Sequence, residues 1–246
     1  MLWLLHKEIG ISLLKYTKYF ILTIRQVTFV YEYVIITLIS SGDGGDCLVG
    51  IRLNITMVIL EIIACSWAFK RNGASILKFY TVLSNILGGV SAAMFLLAKL
   101  LWDEVPMWVT MLRYCSVVCL MQTFLVVVLV LAPMTKPPDT LYGLLFERSQ
   151  KFHHIICPLL TAASFLFFEG GCPFGTVHKL LAVAPTLLYA AVTIPLNWYG
   201  KLRGPYPFLY VRENKWYVSI MWAVVVLGLT FAIAFGCAAV RSGILK

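Results

Sequence analysis

The chain has 246 residues, of which 61% are hydrophobic and 13% charged, whereas soluble domains carry roughly 45–50% apolar and about 25% charged residues. One soluble core could not bury that much apolar surface, and membrane spans of about 20 residues each would use up nearly the whole length. The net charge of +9 is dispersed over short loops without a long basic run, which favours topology signals and contacts with anionic head groups over nucleic-acid binding.

Residues 1–50 form an N-terminal extension, and the sequence leaves several interpretations of it open. The apolar stretch 19–39 contains Arg25 and Glu32, so it fits an extra span, an amphipathic surface helix or a weak signal-like segment. Lysines before the stretch and aspartates after it suit a span whose N-terminus is cytoplasmic. A translation start near Met57 is a further alternative.

Residues 51–246 are predicted to form a transmembrane domain of six core helices. Continuous apolar runs without two-residue alternation exclude a barrel, and backbone groups in lipid must then be satisfied within helices. The fold class is therefore all-α, a polytopic integral membrane helix bundle with a seventh, N-terminal helix as an open alternative. The predicted spans, of which the fourth is the shortest, are 53–69, 76–98, 109–132, 154–168, 178–198 and 216–240.

Lys and Arg are unevenly distributed between the two ends of this bundle. The loops after the first, third and fifth spans hold ten of these residues, and the opposite side of the core holds six. Because positive charge accumulates on the cytoplasmic side, the first set of loops is predicted to be cytoplasmic.

Small and polar residues form a stripe along one face of the second span, since they recur at steps of three and four. Such a stripe favours close packing between membrane helices. Asn85 points to a further role, because an amide seeks several hydrogen bonds that packing alone does not require. The stripe consists of Thr81, Ser84, Asn85, Gly88 and Ala92.

Two adjacent histidines, His153 and His154, lie at the start of the fourth span. Neighbouring side chains on a helix point about 100° apart, so only one of them easily faces a given neighbouring helix. No carboxylate lies close to them in the sequence, and we therefore expect no metal site from this pair. Cys157 follows one turn after His153, on the same face.

Polar residues gather near one face of the membrane. Asn197 ends the fifth span, and Tyr206 lies in a loop where two prolines prevent a regular helix. This aromatic loop fits either a cap over a site or an interface belt. Thr81 and the two histidines are predicted at the same face, whereas Glu61 lies in the middle of the first span without an assignable partner.

Three short motifs, in this order along residues 53–240, carry a resemblance to known proteins. They are Lys78-Phe79-Tyr80-Thr81, His153 five residues before Pro158, and Tyr206-Pro207-Phe208-Leu209. With them the chain resembles the family of androgen-induced and androgen-dependent tissue factor pathway inhibitor-regulating proteins, which are membrane threonine hydrolases. Its Ser84-Asn85 pair, its second histidine and its N-terminal segment look more like uncharacterised bacterial six-helix membrane proteins, from which no activity carries over.

The resemblance implies an intramembrane hydrolase of fatty acid esters of hydroxy fatty acids. Carried over to this chain, Thr81 would be the nucleophile and His153 the base. A threonine hydroxyl is a weak nucleophile until a positioned base takes its proton, and histidine is suited to this near neutral pH. Asn85 and Tyr206 are suggested oxyanion donors, and the residues expected to support the site are Ser84, Asn85, His154, Asn197 and Tyr206.

Two other functions remain open from the sequence. Cys157 with His153 would suit a membrane acyltransferase, and a non-enzymatic binding or transport protein would use the polar residues, Glu61 included, to hold a small molecule. Nucleotide-binding and lipase-type motifs are missing from the sequence, and we expect no cofactor or metal. The expected partners are membrane lipids and a lipid-like substrate, not nucleic acid, and the expected location is the plasma membrane if the chain is bacterial.

Overall fold

The computed structural model describes residues 45–134, 149–170, 174–204 and 206–244, together with Leu144, Leu145 and scattered positions between 21 and 37. In these parts of the chain the regular structure is helical, which confirms the all-α fold. Most of the N-terminal extension and of the predicted seventh span lies outside the described residues.

Six helices, numbered here in chain order, follow one another through the described part of the chain from residue 45. Helix α3 continues beyond Val126 through a π-helical turn to Met134, and α5 has a break after Leu181. Five of the six are long and apolar enough to cross a membrane, and α4 is shorter. The bounds are α1 Gly45–Asn72, α2 Tyr80–Leu101, α3 Met107–Val126, α4 Phe152–Phe168, α5 Thr176–Trp198 and α6 Trp216–Ile244.

The polar stripe of α2 lies in the interior of the bundle. All of its members, Thr81, Ser84, Asn85, Gly88 and Ala92, are buried. A Cβ atom added to Gly88 would lie 2.7 Å from Leu120 Cδ1 of α3 and 3.1 Å from Met57 Cε of α1. The absence of a side chain at this position therefore allows three helices to approach closely, as the small-residue pattern predicts.

Helix α4 is irregular at its start for a reason that lies in the sequence. The Cys157 N–H donates to the carbonyl of Phe152, five residues earlier, which is the π-helical register. In the same register the N–H of residue 158 would donate to the His153 carbonyl, but Pro158 has no N–H. The His153 carbonyl is thereby left available for a donor from another helix.

A buried ion pair joins three helices at the opposite end of α4. Arg113 of α3 is fully buried, and its Nε lies 3.1 Å and 3.0 Å from the two carboxylate oxygens of Glu169. Asn54 of α1 and Ser164 of α4 donate to the same carboxylate at 3.0 Å and 2.8 Å. Burial alone would raise the pKa of Glu169, but Arg113 and these donors outweigh it and hold the pKa below its ordinary value.

The ion pair corrects one part of the charge count made from the sequence. Arg113 is one of the six Lys and Arg residues on the side of the core with fewer positive charges, but its side chain is buried against Glu169. Arg241 is also buried, with its guanidinium 4.2 Å from the centroid of the Phe165 ring. Both arginines hold helices together and do not face head groups, so the charge bias between the two ends is larger than the sequence count indicates.

We expect Arg113→Ala to lower the free energy of unfolding by about 3–5 kcal/mol, because it leaves the Glu169 carboxylate buried without its cation. The measurement is the melting temperature of the detergent-solubilised protein. Arg203→Ala is the matched control, since Arg203 and Glu213 form an exposed pair at 3.6 Å and such pairs contribute at most about 1 kcal/mol. Equal melting temperatures for the two variants would contradict a stabilising role of the buried pair.

Candidate functional site

Thr81 is the second residue of α2, where backbone N–H groups have no acceptor within their own helix. The Thr81 N–H donates to the hydroxyl oxygen of Tyr206 at 3.2 Å, and the Thr81 and Tyr206 hydroxyls are 3.1 Å apart. The start of α2 therefore brings the Thr81 hydroxyl, a backbone N–H of the helix terminus and the Tyr206 hydroxyl together at one point.

Tyr206 is held in place by the loop between α5 and α6. The Asn197 side chain donates to the Leu202 carbonyl at 3.1 Å and accepts from the Arg212 N–H at 3.4 Å, so it ties both ends of this loop. A Cβ atom at Gly204 would lie only 2.7 Å from Leu209 Cβ, which explains glycine in this tight segment. The loop thus forms a cap, one of the two interpretations left open by the sequence, and Asn197 supports it without contacting Thr81.

Burial raises the pKa of Tyr206 above its ordinary value of 10, and the hydrogen bonds with Thr81 and the Tyr80 backbone offset part of this rise. The phenol is therefore protonated at neutral pH. It accepts a hydrogen bond from the helix terminus, and it shares a second one with the Thr81 hydroxyl in which either group can donate. A protonated phenol is the form required of an oxyanion donor.

Asn85 connects the start of α2 to the start of α4. Its amide nitrogen donates to the Thr81 carbonyl at 2.7 Å and to the His153 carbonyl at 3.0 Å. The second bond takes the carbonyl that Pro158 leaves unpaired in α4. Since both amide hydrogens are used, Asn85 has a bridging position in this structure and is not placed to donate to a reacting oxyanion. Ser84 donates to the Thr81 carbonyl at 2.9 Å, beside Thr123 of α3.

The two histidines contact different parts of the molecule. His153 Nε2 lies 4.0 Å from the Glu61 carboxylate of α1, and both side chains are buried. His154 Nδ1 instead contacts the Leu144 carbonyl at 2.6 Å. Glu61, which the sequence left without a partner, therefore faces His153, and Gly89 of α2 makes room for it, since a Cβ there would lie 3.1 Å from Glu61 Cβ.

Cysteines surround the Glu61 carboxylate as well. Cys65 Sγ lies 3.8 Å from Glu61 Oε2, and the Cys157 thiol lies beside the same carboxyl group. Cys157 is completely buried, whereas Cys65 is partly exposed. The sequence placed Cys157 on the same face as His153, and the structure brings Glu61 to both of them.

Thr81 and His153 are linked through Asn85 and not through their side chains. The Thr81 hydroxyl pairs with Tyr206, and His153 Nε2 makes no hydrogen bond with any described residue. The predicted nucleophile and base thus lie in adjoining polar clusters. Thr81 and Tyr206 define the first cluster, and Glu61, Cys65 and His153 define the second.

Thr81 borders a small pocket with a cavity volume of about 40 Å³, which holds only a few atoms and not a whole lipid. Its walls are mostly apolar and come from α3, α6 and the cap. The polar groups at its margin are hydroxyls and an amide, and the lining residues that matter here are Thr81, Tyr206, Gln122, Val126, Leu131 and Phe208.

A polar network beside this pocket was not predicted from the sequence. The Tyr80 hydroxyl lies 3.0 Å from Gln122 Oε1 of α3 and 2.8 Å from the Thr186 hydroxyl of α5, and Thr186 also donates to Gln122 at 2.9 Å. Gln122 itself was the signal in the sequence that could have indicated this network, because an amide inside an apolar span needs hydrogen-bond partners in lipid. Its partners lie on other helices, and a single sequence does not show which residues of different helices are in contact.

Comparison of the chain with models of protein families, with curated proteins and with solved structures found no match. Its fold and polar clusters define it as a polytopic helical membrane protein with a pocket at one end of the bundle.

We expect Asn85→Ala to lower the free energy of unfolding by about 1–3 kcal/mol, because it leaves the buried His153 carbonyl without its donor. The melting temperature in detergent measures this. Asn72→Ala, at the exposed end of α1, is the control and is expected to change little. A wild-type melting temperature for Asn85→Ala would contradict the bridge between α2 and α4.

Proposed function

We propose that this protein is an intramembrane hydrolase of lipid esters in which Thr81 is the nucleophile and His153 the general base. The observation that supports this best is the position of the Thr81 hydroxyl. It borders an apolar pocket, contacts a protonated phenol and is tied through Asn85 to the helix segment that carries His153.

Glu61 would orient the base. A carboxylate facing one nitrogen of an imidazole fixes its tautomer and stabilises the imidazolium that forms during reaction. With Nε2 facing Glu61 at 4.0 Å, Nδ1 is the nitrogen left to take a proton. The reaction requires Nδ1 to reach Thr81 Oγ1 directly or through one water molecule, as catalytic contacts often tighten only in the complex with substrate.

The reaction would run in two halves. Thr81 Oγ1 attacks the ester carbonyl while its proton passes to His153, and the tetrahedral intermediate then breaks its bond to the alcohol, which takes that proton and leaves. Water attacks the acyl-threonine with its proton passing to His153. The carboxylic acid is released as that proton returns to Thr81.

Tyr206 would stabilise the negative charge that develops on the carbonyl oxygen. Its oxygen accepts from the Thr81 N–H at 3.2 Å, which polarises its own O–H for donation. The start of α2 adds the positive end of the helix dipole at the same point.

The substrate class follows from the surroundings and from the sequence resemblance. The apolar walls of the small pocket suit the part of an acyl chain next to the ester, and the resemblance implies fatty acid esters of hydroxy fatty acids. We further propose that all six helices cross the membrane, α4 included, and that a bacterial host would carry the protein in its plasma membrane.

A Cys–His acyltransferase is the second candidate, because the Cys157 thiol and His153 both face Glu61. Thr81 is preferred as nucleophile since it borders the pocket, whereas Cys157 is completely buried. A binding or transport protein would use the same pocket without covalent chemistry.

A fluorophosphonate should add covalently to wild-type protein and to Cys157→Ala, but not to Thr81→Ala or His153→Ala, because only an activated hydroxyl attacks the probe. Intact-protein mass after labelling in detergent measures the adduct, and melting temperatures establish that each variant is folded. Loss of the adduct in Cys157→Ala alone would favour the acyltransferase. Absence of an adduct from every folded protein would contradict an enzyme of either kind and favour a binding role.

Tyr206→Phe should reduce kcat for a long-chain ester by about 10²–10³, the effect of removing one oxyanion donor. KM should change far less, because the phenyl ring keeps the wall of the pocket. Tyr199→Phe is the matched control, since the Tyr199 side chain is 74% exposed after the end of α5. An unchanged kcat in Tyr206→Phe would remove Tyr206 from the mechanism.

A further inference from the structure

Three side chains that are typical metal ligands meet where α1 packs against the start of α4. The ligating atoms of Glu61, Cys65 and His153 all lie within 4.8 Å of one another. Cys65 Sγ is 3.8 Å and His153 Nε2 is 4.0 Å from Glu61 Oε2. We propose that these three residues form a binding site for a divalent transition-metal ion of the zinc class.

Two atoms of this cluster lack hydrogen-bond partners among the described residues. They are Glu61 Oε1 and His153 Nε2, and their side chains are only 4% and 2% exposed. An unpaired buried polar atom destabilises the fold, and more so when it is charged. A cation between them would satisfy both atoms, whereas hydrogen bonding within the described cluster leaves them without a partner.

The donor set and the spacing suit zinc in particular. One imidazole nitrogen, one thiolate and one carboxylate are the ligands that tetrahedral zinc takes in proteins, whereas magnesium and calcium prefer oxygen alone. Tetrahedral bonds of about 2.0–2.3 Å place such donors roughly 3.3–3.6 Å apart. The 3.8 Å between Cys65 Sγ and Glu61 Oε2 is close to that spacing, whereas the 4.0 Å between His153 Nε2 and Oε2 is longer by about half an ångström. Side-chain shifts of that order would close the site.

The position of the cluster leaves a route to it and a place for a fourth ligand. Cys65 is partly exposed and lies seven residues before the end of α1 at Asn72, and His153 lies at the start of α4. An ion would therefore reach the cluster from the nearby end of the helices. The Cys157 thiol beside Glu61 would hydrogen-bond the carboxylate from outside the three ligands, and water would complete the coordination.

The proposed metal site goes beyond the proposed hydrolase and makes use of the same histidine. An imidazole that binds a metal through Nε2 keeps its proton on Nδ1, so it has no lone pair left to accept the Thr81 proton. If His153 is the base, the ion-bound protein would be inactive, and the ion would act as an inhibitor.

Metal binding can be tested on the full-length protein in detergent without any substrate. After treatment with chelator and removal of the chelator, the protein is titrated with Zn²⁺ for stoichiometry and with Co²⁺ for its absorption spectrum. We expect one Zn²⁺ per chain and a sulfur-to-cobalt charge-transfer band together with the strong visible bands of tetrahedral Co²⁺. Cys65→Ala should lose the charge-transfer band, and Glu61→Gln should keep it with at least tenfold weaker binding.

Cys119→Ala is the matched control, because Cys119 is a buried cysteine of α3 beside Tyr80 and outside the cluster; it should bind as wild type does. Glu61→Gln preserves side-chain size, so it keeps the test valid if Cys65→Ala disturbs packing. Lack of saturable binding in wild type, or equal binding in wild type, Cys65→Ala and Glu61→Gln, would overturn the metal site. Metal binding in a protein whose metal-free form shows no ester turnover would overturn only the hydrolase, and ester turnover without metal binding only the metal site.

Discussion

Polar groups inside a bilayer have no water to pair with, so they must find partners within the bundle, and this constraint organises the whole molecule. The clearest example is the buried ion pair of Arg113 and Glu169. Asn54 and Ser164 complete its hydrogen-bond network across α1, α3 and α4. With α1 held against one end of α4 in this way, Glu61 lies opposite His153 at the other end. The buried ion-pair network therefore helps to position the Glu61–His153 cluster.

The same constraint explains how Pro158 affects the hydrogen bonding of the candidate site. Pro158 deprives the His153 carbonyl of a donor within α4, and Asn85 of α2 supplies one at 3.0 Å. Because Asn85 also holds the Thr81 carbonyl, one amide sets the distance between two helix starts. Residues from two separate motifs of the sequence, the α2 stripe and the His153–Pro158 segment, thus form one structural unit.

His153 lies on the border between two polar clusters, and this position links the two proposals. Toward Thr81 it would accept a proton, and toward Glu61 and Cys65 it would hold an ion. These roles compete for one imidazole, since metal coordination at one nitrogen keeps the other protonated. A small membrane protein could in this way couple lipid hydrolysis to the availability of a transition metal without a separate regulatory domain.

The helices follow from the sequence alone, because long apolar runs and the period of 3.6 residues are local properties of the chain. The sequence also identified the buried stripe of α2 and the two divergent histidines, since both follow from helix geometry. The pairing of the polar groups, in contrast, depends on how the helices pack. The pairs are Glu61 with His153, Arg113 with Glu169, and Tyr80 with Gln122 and Thr186. These partners lie on different helices, and the packing of helices, which no local pattern encodes, determines which side chains meet.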